Sequence, residues 1–181
     1  AANITDEDGR ILVLAAYDAG IRYFDTAPFY GYGRSEHVMG DELRYRKDWV
    51  LSTKVGRLLG PRKTPQDPND QWTKPLPFEP RFDYSYDGVM RSYEDSIQRL
   101  GVDHVDILYI HDVDTYTHGD ELQPKMHAAA MDGAAKALDA LRSSGTVKAI
   151  GIGVNQAKPI ADALAHMQWD AFLLAGRYTL L

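Results

Sequence analysis

Apolar residues recur along this chain in two alternating forms, short β-branched and aromatic runs and longer stretches with helical spacing. Thr5 followed by Asp6, Glu7 and Asp8 reads as a helix start, a hydroxyl cap with acids where the helix dipole favours them. Ile11, Leu12, Leu14, Ala15 and Ala16 supply its apolar face, and Gly20 ends it. Residues 21–24 read as a strand, and Ser35 opens a second helix carrying Val38, Met39 and Leu43. Residues 49–54 form the next expected strand. Asp87 is expected to cap a third helix with Val89, Tyr93, Ile97 and Leu100 on one face and Gly101 at its end. A strand over 105–111, an Ala-rich helix over 128–141, a strand over 147–154, a helix opened by Pro159 and a strand over 170–174 complete the series.

Helices alternating with near-continuous apolar strands imply a parallel sheet with right-handed crossovers. Within that class, a doubly wound dinucleotide fold would show G-x-G-x-x-G after an early strand. Gly151-Ile152-Gly153 runs on without a third glycine, which favours a barrel. Two segments interrupt the alternation, a polar, Pro-rich stretch over 56–86 and a second polar loop over 112–125. Loops of that length in compact domains are usually functional or disordered. The aromatics of the first (Trp72, Phe78, Phe82, Tyr84, Tyr86) argue for an ordered lid or wall, whether facing substrate or merely packing the loop. Tyr23, Tyr93 and Tyr109 are expected in the core.

Composition narrows the chemistry. The 181 residues contain no cysteine, which removes disulfides, thiol catalysis and Cys-built metal centres. The net charge of −6 comes with scattered bases, so no positive stripe for nucleic acid is present. No apolar run is long enough to span a bilayer and no signal peptide opens the sequence, so a cytoplasmic protein is expected. His37, His104, His118, His127 and His166 show no metal-binding spacing, and no metal site is expected.

Four polar residues stand at corresponding places in the pattern. Asp25, Lys54 and His111 each end a strand, and Tyr30 lies in the loop after the first. In a (β/α) barrel all strand carboxyl ends open on one face, so these residues would converge. A lone phenol is a poor acid or base at neutral pH, and a neighbouring ammonium favours its phenolate. Lys54 is expected to serve Tyr30 in that way, with Asp25 holding Lys54 by an ion pair and His111 orienting a substrate oxygen. This suits proton transfer coupled to hydride transfer.

The stretch from Gly20 to Glu36 (Gly-Ile-Arg-Tyr-Phe-Asp-Thr-Ala-Pro-Phe-Tyr-Gly-Tyr-Gly-Arg-Ser-Glu), with Ser52-Thr-Lys-Val55, Arg99-Leu-Gly-Val-Asp-His-Val-Asp106 and Gly145-Thr-Val-Lys-Ala-Ile-Gly151, resembles the aldo-keto reductase superfamily in the family's own order. The resemblance implies a (β/α)8 TIM-type barrel, of which residues 1–181 would be one incomplete domain covering about strands 2–6. It implies Asp25, Tyr30, Lys54 and His111 as catalytic tetrad and NAD or NADP as cofactor. Asn155-Gln156 stands where the family's Ser-Asn pair holds the nicotinamide carboxamide. Phe82 to Ser92, His111 to Asp114 and Gly151 to Gln156 are similar to the branch of D-threo-aldose (L-fucose) 1-dehydrogenases, L-galactose dehydrogenase and pyridoxal 4-dehydrogenase, which oxidise a cyclic hemiacetal to a lactone. Phe29 and Asp112 are the expected substrate contacts, Asp112 replacing the aromatic that follows the catalytic His in many carbonyl-reducing relatives.

The expected partner is thus a small sugar or aldehyde, with neither nucleic acid nor membrane involved and the oligomeric state open. A pyridoxal dehydrogenase or a general aldehyde or ketone reductase is the alternative within the family, and a cofactor-binding regulatory subunit the alternative of another class. A metal-dependent or Schiff-base barrel enzyme is a third. Five expected strands cannot close an eight-stranded barrel. The sequence therefore reads as part of a longer protein, ending near its sixth strand at 177–181, whose further strands would carry the cofactor's phosphate contacts.

Overall fold

The computed structural model describes residues 4–68 and 70–176; the expectation about 177–181 lies outside them. Helix α1 (Asp6–Asp18) leads into strand β1 (Tyr23–Asp25), followed by α2 (Arg34–Leu43), β2 (Val50–Val55), β3 (Arg57–Pro61), β4 (Phe78–Phe82) and α3 (Tyr86–Leu100). Strand β5 (Ile107–His111), α4 (Thr115–Ala129), a π-helical turn over Ala130–Ala134, α5 (Ala135–Ser143), β6 (Ala149–Val154), α6 (Ala157–Ala163) and β7 (Ala171–Leu174) complete the order. Strands β1, β2, β5, β6 and β7 form one parallel sheet in that spatial order. This is a curled five-stranded part of a (β/α)8 barrel, as the alternation of elements predicts.

Side chains alternate across a strand, so the register assigns each residue to a face. Phe24, Leu51, Val55, Leu108, Ile110, Ile150, Ile152 and Val154 share the outer face and pack with Val89 and Leu100 of α3 and Leu138 and Leu141 of α5. Most of these are fully buried, each contributing roughly 1.5–3 kcal/mol. The opposite, concave face carries Tyr23 and Asp25, then Ser52 and Lys54, then Tyr109 and His111, then Gly151 and Gly153. Register also steps this face forward strand by strand. Asp25 lies beside Ser52, Lys54 beside Tyr109, and His111 beside Gly153, so each polar residue sits two positions further along than its neighbour's match. A diagonal of chemistry across the strand ends results.

Beneath the outer layer, Glu36 of α2 is fully buried, accepting from Thr53 Oγ1 at 2.8 Å and pairing with Arg99 Nε at 2.5 Å. It ties α2 and α3 to β2. At the amino ends of the strands, Asp106 accepts the Leu51 N–H at 2.8 Å and Lys148 contacts the same carboxylate at 2.7 Å.

Several sequence expectations need correction. The 56–86 segment contains the antiparallel hairpin β3–β4, in which Arg57 pairs with Phe82 and Leu59 with Pro80. Its prolines hid the strands, because proline is excluded only from ladders that need its N–H, and a two-stranded edge does not. The expected loop over 112–125 is mostly α4: Asp114 accepts from Thr117 N as its cap, and Gly119 (φ 71°) breaks the helix near its start. Helix α3 is capped by Ser85, two residues before the expected Asp87. Helix α1 is capped through Thr5 as expected, yet Ile11 and Leu12 face outward while Val13, Ala16 and Tyr17 pack inward. Tyr109 is buried, but Tyr23 is 45% exposed on the concave face and Tyr93 only half-buried. Among the described residues no helix is long and apolar enough to cross a membrane, and no cluster could hold a metal ion.

Candidate active site

The strand ends meet around a pocket of about 370 Å³ lined by Phe29, Tyr30, Lys54, Arg57, Trp72, His111, Asp112 and Asn155, with Gly153, Val154, Leu173 and Ala175 along one wall. A larger hollow of about 560 Å³ lies on the helical layer around Pro124, His127 and His166, away from the strand ends.

Lys54 is almost completely buried. Its ammonium is 2.5 Å from Asp25 Oδ2 and donates to Thr26 O at 2.9 Å. Asp25 Oδ1 in turn accepts from Ser52 Oγ at 2.6 Å, so the carboxylate is held from both sides. A charge buried with a partner and a carbonyl is satisfied; unpaired, it would be expelled. The ammonium also lies 4.7 Å from the centroid of the Tyr30 ring.

Tyr30 stands in a run of tight turns. Tyr30 N donates to Ala27 O, Tyr32 N to Phe29 O and Ser35 N to Tyr30 O. Thr26 and Ser35 hydroxyls close the loop base at 2.9 Å. The segment after β3 folds over this loop. Leu76 N donates to Gly31 O, and Tyr32 donates its hydroxyl to Asp70; burial, and then this bond, push the Tyr32 phenol up to about 12. Trp72 thereby comes 5.7 Å from the rings of both Phe29 and Tyr30, so the long insertion does form an ordered wall of the pocket.

His111 faces Tyr30 edge-on, ring centroids 5.9 Å apart. Burial, then the charges of Arg57 and Lys54, hold its imidazole well below its ordinary value of 6.5 and keep it neutral. Arg57 Nη1 is 3.0 Å from His111 Nδ1 and 2.7 Å from Asp112 Oδ2. Asp112 is left-handed (φ 51°), a conformation tolerated by Asp, and this turns its carboxylate back toward Arg57 and His111. Desolvation raises the Asp112 carboxyl despite the opposing pull of Arg57.

All four residues expected to form a tetrad therefore converge, with Phe29 and Asp112 beside them. Both Asp112 oxygens accept from protein, Oδ2 from Arg57 and Oδ1 from Asn155 Nδ2 at 3.1 Å. Asn155 lines the pocket, and its backbone N–H donates to Asp114 at 2.6 Å. Gln156 does not join it. Its side-chain oxygen accepts from Thr115 N, Thr115 Oγ1 and Tyr116 N, at the start of α4, which is what an unsatisfied helix N-terminus requires.

Arg57 went unnoticed in the sequence. The signal was Gly56, directly after the strand that ends near Lys54. Gly56 has φ 101°, and a Cβ there would lie 2.3 Å from the Tyr84 ring. Only glycine makes this turn, which brings Arg57 back across the sheet end.

The aldo/keto reductase family profile matches residues 2–181. The chain belongs to the aldo/keto reductase family. It is 47% identical over 190 aligned positions to pyridoxal 4-dehydrogenase of Microbacterium luteolum, covering 99% of this chain and 56% of that protein. To D-threo-aldose 1-dehydrogenase of a Pseudomonas species it is 38% identical over 186 positions, covering 98% and 53%. Among solved structures, the holo form of aldo-keto reductase AKR11C1 from Bacillus halodurans superposes with a TM-score of 0.69 at 21% identity, over 95% of this chain and 49% of that one. That likeness concerns the fold. The chain spans about half the length of the curated relatives it matches.

Proposed function

We propose that this chain carries the proton-transfer site of an NAD- or NADP-dependent oxidoreductase that oxidises a cyclic hemiacetal of a polar small molecule to a lactone. The observation that carries the reading is the buried Lys54–Asp25 pair under the Tyr30 ring with neutral His111 opposite. The nicotinamide end of such a cofactor fits the residues present. Gly153, Leu173 and Ala175 give a largely apolar wall for a flat ring, and the Asn155 amide stands at its edge. When bound, the cofactor supplies a hydride acceptor.

The reaction breaks the C–H bond of the hemiacetal carbon and the O–H bond of its hydroxyl. The hydroxyl proton passes to the Tyr30 oxygen, the hydrogen on carbon leaves with its electron pair as hydride, and the former hydroxyl oxygen becomes the carbonyl oxygen of the lactone, outside the ring. Lys54 stabilises negative charge at Tyr30, Asp25 keeps Lys54 in place, and His111 donates to the substrate oxygen. Phe29 and Trp72 offer faces to the substrate ring, while Asp112 is engaged by Arg57 and Asn155 and shapes the pocket from behind.

The names of the relatives make pyridoxal, D-threo-aldoses and L-galactose the first substrates to try with each cofactor. In the whole protein, Tyr30→Phe removes one hydroxyl and should lower turnover by ~10² or more with cofactor affinity retained. Near-normal turnover in that variant rejects Tyr30 as the proton acceptor. Cofactor binding without turnover on any of these substrates in the unmodified protein favours a regulatory subunit instead.

A further inference from the structure

We infer that Arg57 is a positioning residue that fixes the single ring proton of His111 on Nε2. The inference rests on the reading that His111 meets the substrate oxygen, and it concerns which nitrogen does so. A guanidinium carries five N–H donors and no acceptor. Its 3.0 Å contact with Nδ1 is therefore attractive only if Nδ1 bears a lone pair. Two arrangements are excluded by this contact, the imidazolium and the Nδ1–H tautomer, since each would point an N–H at another N–H. The neutral ring with its proton on Nε2 is the arrangement that remains.

Arg57 is held where a loosely tethered arginine would not be. It is 5% exposed, with its guanidinium carbon 4.0 Å from the Phe29 ring centroid and 4.7 Å from that of Phe82, its cross-strand partner. The bond to Asp112 at 2.7 Å fixes the remaining freedom. Tyr84, whose ring fills the space over Gly56, donates its hydroxyl to His111 O at 2.6 Å and so anchors the backbone of the same histidine. The β3–β4 hairpin thus acts on the site from behind. It supplies the group that decides whether His111 presents N–H or a bare nitrogen to a ligand.

The test is nitrogen NMR of the whole protein labelled with ¹⁵N-histidine, joined to steady-state kinetics. The unmodified protein should show His111 with Nδ1 unprotonated and Nε2 protonated. In Arg57→Met the donor is gone, and the proton should redistribute onto Nδ1. The value of kcat should then fall by ~10-fold or more, with cofactor affinity unchanged, because the donor to the substrate oxygen is lost in part of the population. Arg57→Lys, whose ammonium also donates, should recover the original tautomer and part of kcat, which a purely structural role for Arg57 would not produce. A protonated Nδ1 in the unmodified protein overturns the inference. So does an unchanged tautomer in Arg57→Met. A redistributed proton with unchanged kcat upholds Arg57's control of the ring and instead rejects His111 as the substrate contact. Should Arg57→Met fail to fold, the spectra of the unmodified protein and of Arg57→Lys decide the matter alone.

Discussion

Replacing His111 by Asn removes a titrating ring while leaving an amide oxygen able to accept from Arg57. The consequence is a change in how stability depends on pH. His111 is buried and its folded-state value lies well below 6.5, by burial first and then by Arg57 and Lys54. Above about pH 7 the ring is neutral folded and unfolded, and it contributes no pH dependence. Below about 6.5 the unfolded chain takes up a proton that the folded chain refuses, so stability is lost as pH falls. For one group the loss is about 1.4 kcal/mol at one pH unit below that value, and it grows by about as much per further unit until the folded value is reached. His118, also lowered by burial, acts in the same direction, and Asp112, raised by burial, acts oppositely at lower pH. Both are present with and without the substitution, so the difference between the two proteins isolates His111. Chemical denaturation of the whole protein across about pH 5 to 8, the imidazole window, is the assay. The unmodified protein should lose stability faster than His111→Asn on the acid side only. Parallel curves throughout would mean that His111 protonates freely when folded, and the argument for a neutral donor would fall.

Two further outcomes follow from buried contacts. Arg99→Leu leaves the fully buried Glu36 carboxylate with Thr53 alone and should cost about 3–5 kcal/mol by denaturation. The double variant Glu36→Leu/Arg99→Leu should cost less than the single one, and a cost for Arg99→Leu below about 1 kcal/mol would show that the pair behaves like an exposed one. Gly56→Ala should destabilise by more than the roughly 1–3 kcal/mol of a strained positive φ, because the new methyl meets the Tyr84 ring. Gly145→Ala, also at positive φ but with nothing within 4 Å, is the control for backbone strain alone, and equal losses at the two positions would refute the steric argument.

The alternation of apolar periods by itself determined the parallel βα order, because buried strands and amphipathic helices each leave a period that survives in the sequence. It also determined that Asp25, Lys54 and His111 end their strands, and a parallel sheet gathers such ends on one side. What the sequence did not contain was the lateral step. Asp25 beside Ser52, Lys54 beside Tyr109 and His111 beside Gly153 depend on strand register, which is set by the packing of whole faces. The β3–β4 hairpin was hidden for the opposite reason: it is an edge pair, where prolines and polar residues are tolerated and no buried face imposes alternation. Helix α4 was hidden by Gly119 and Pro124, and is held at its start by Asp114 and by Gln156 from another element. Gln156 therefore left the site, since satisfying a helix N-terminus outweighed its likeness to a cofactor contact. Arg57 entered the site because Gly56 turns the chain and Phe29, Phe82 and Asp112 converge on its guanidinium from three separate segments. A contact assembled from residues 29, 57, 82, 111 and 112 has no local signature, and only the closed tertiary structure could decide it.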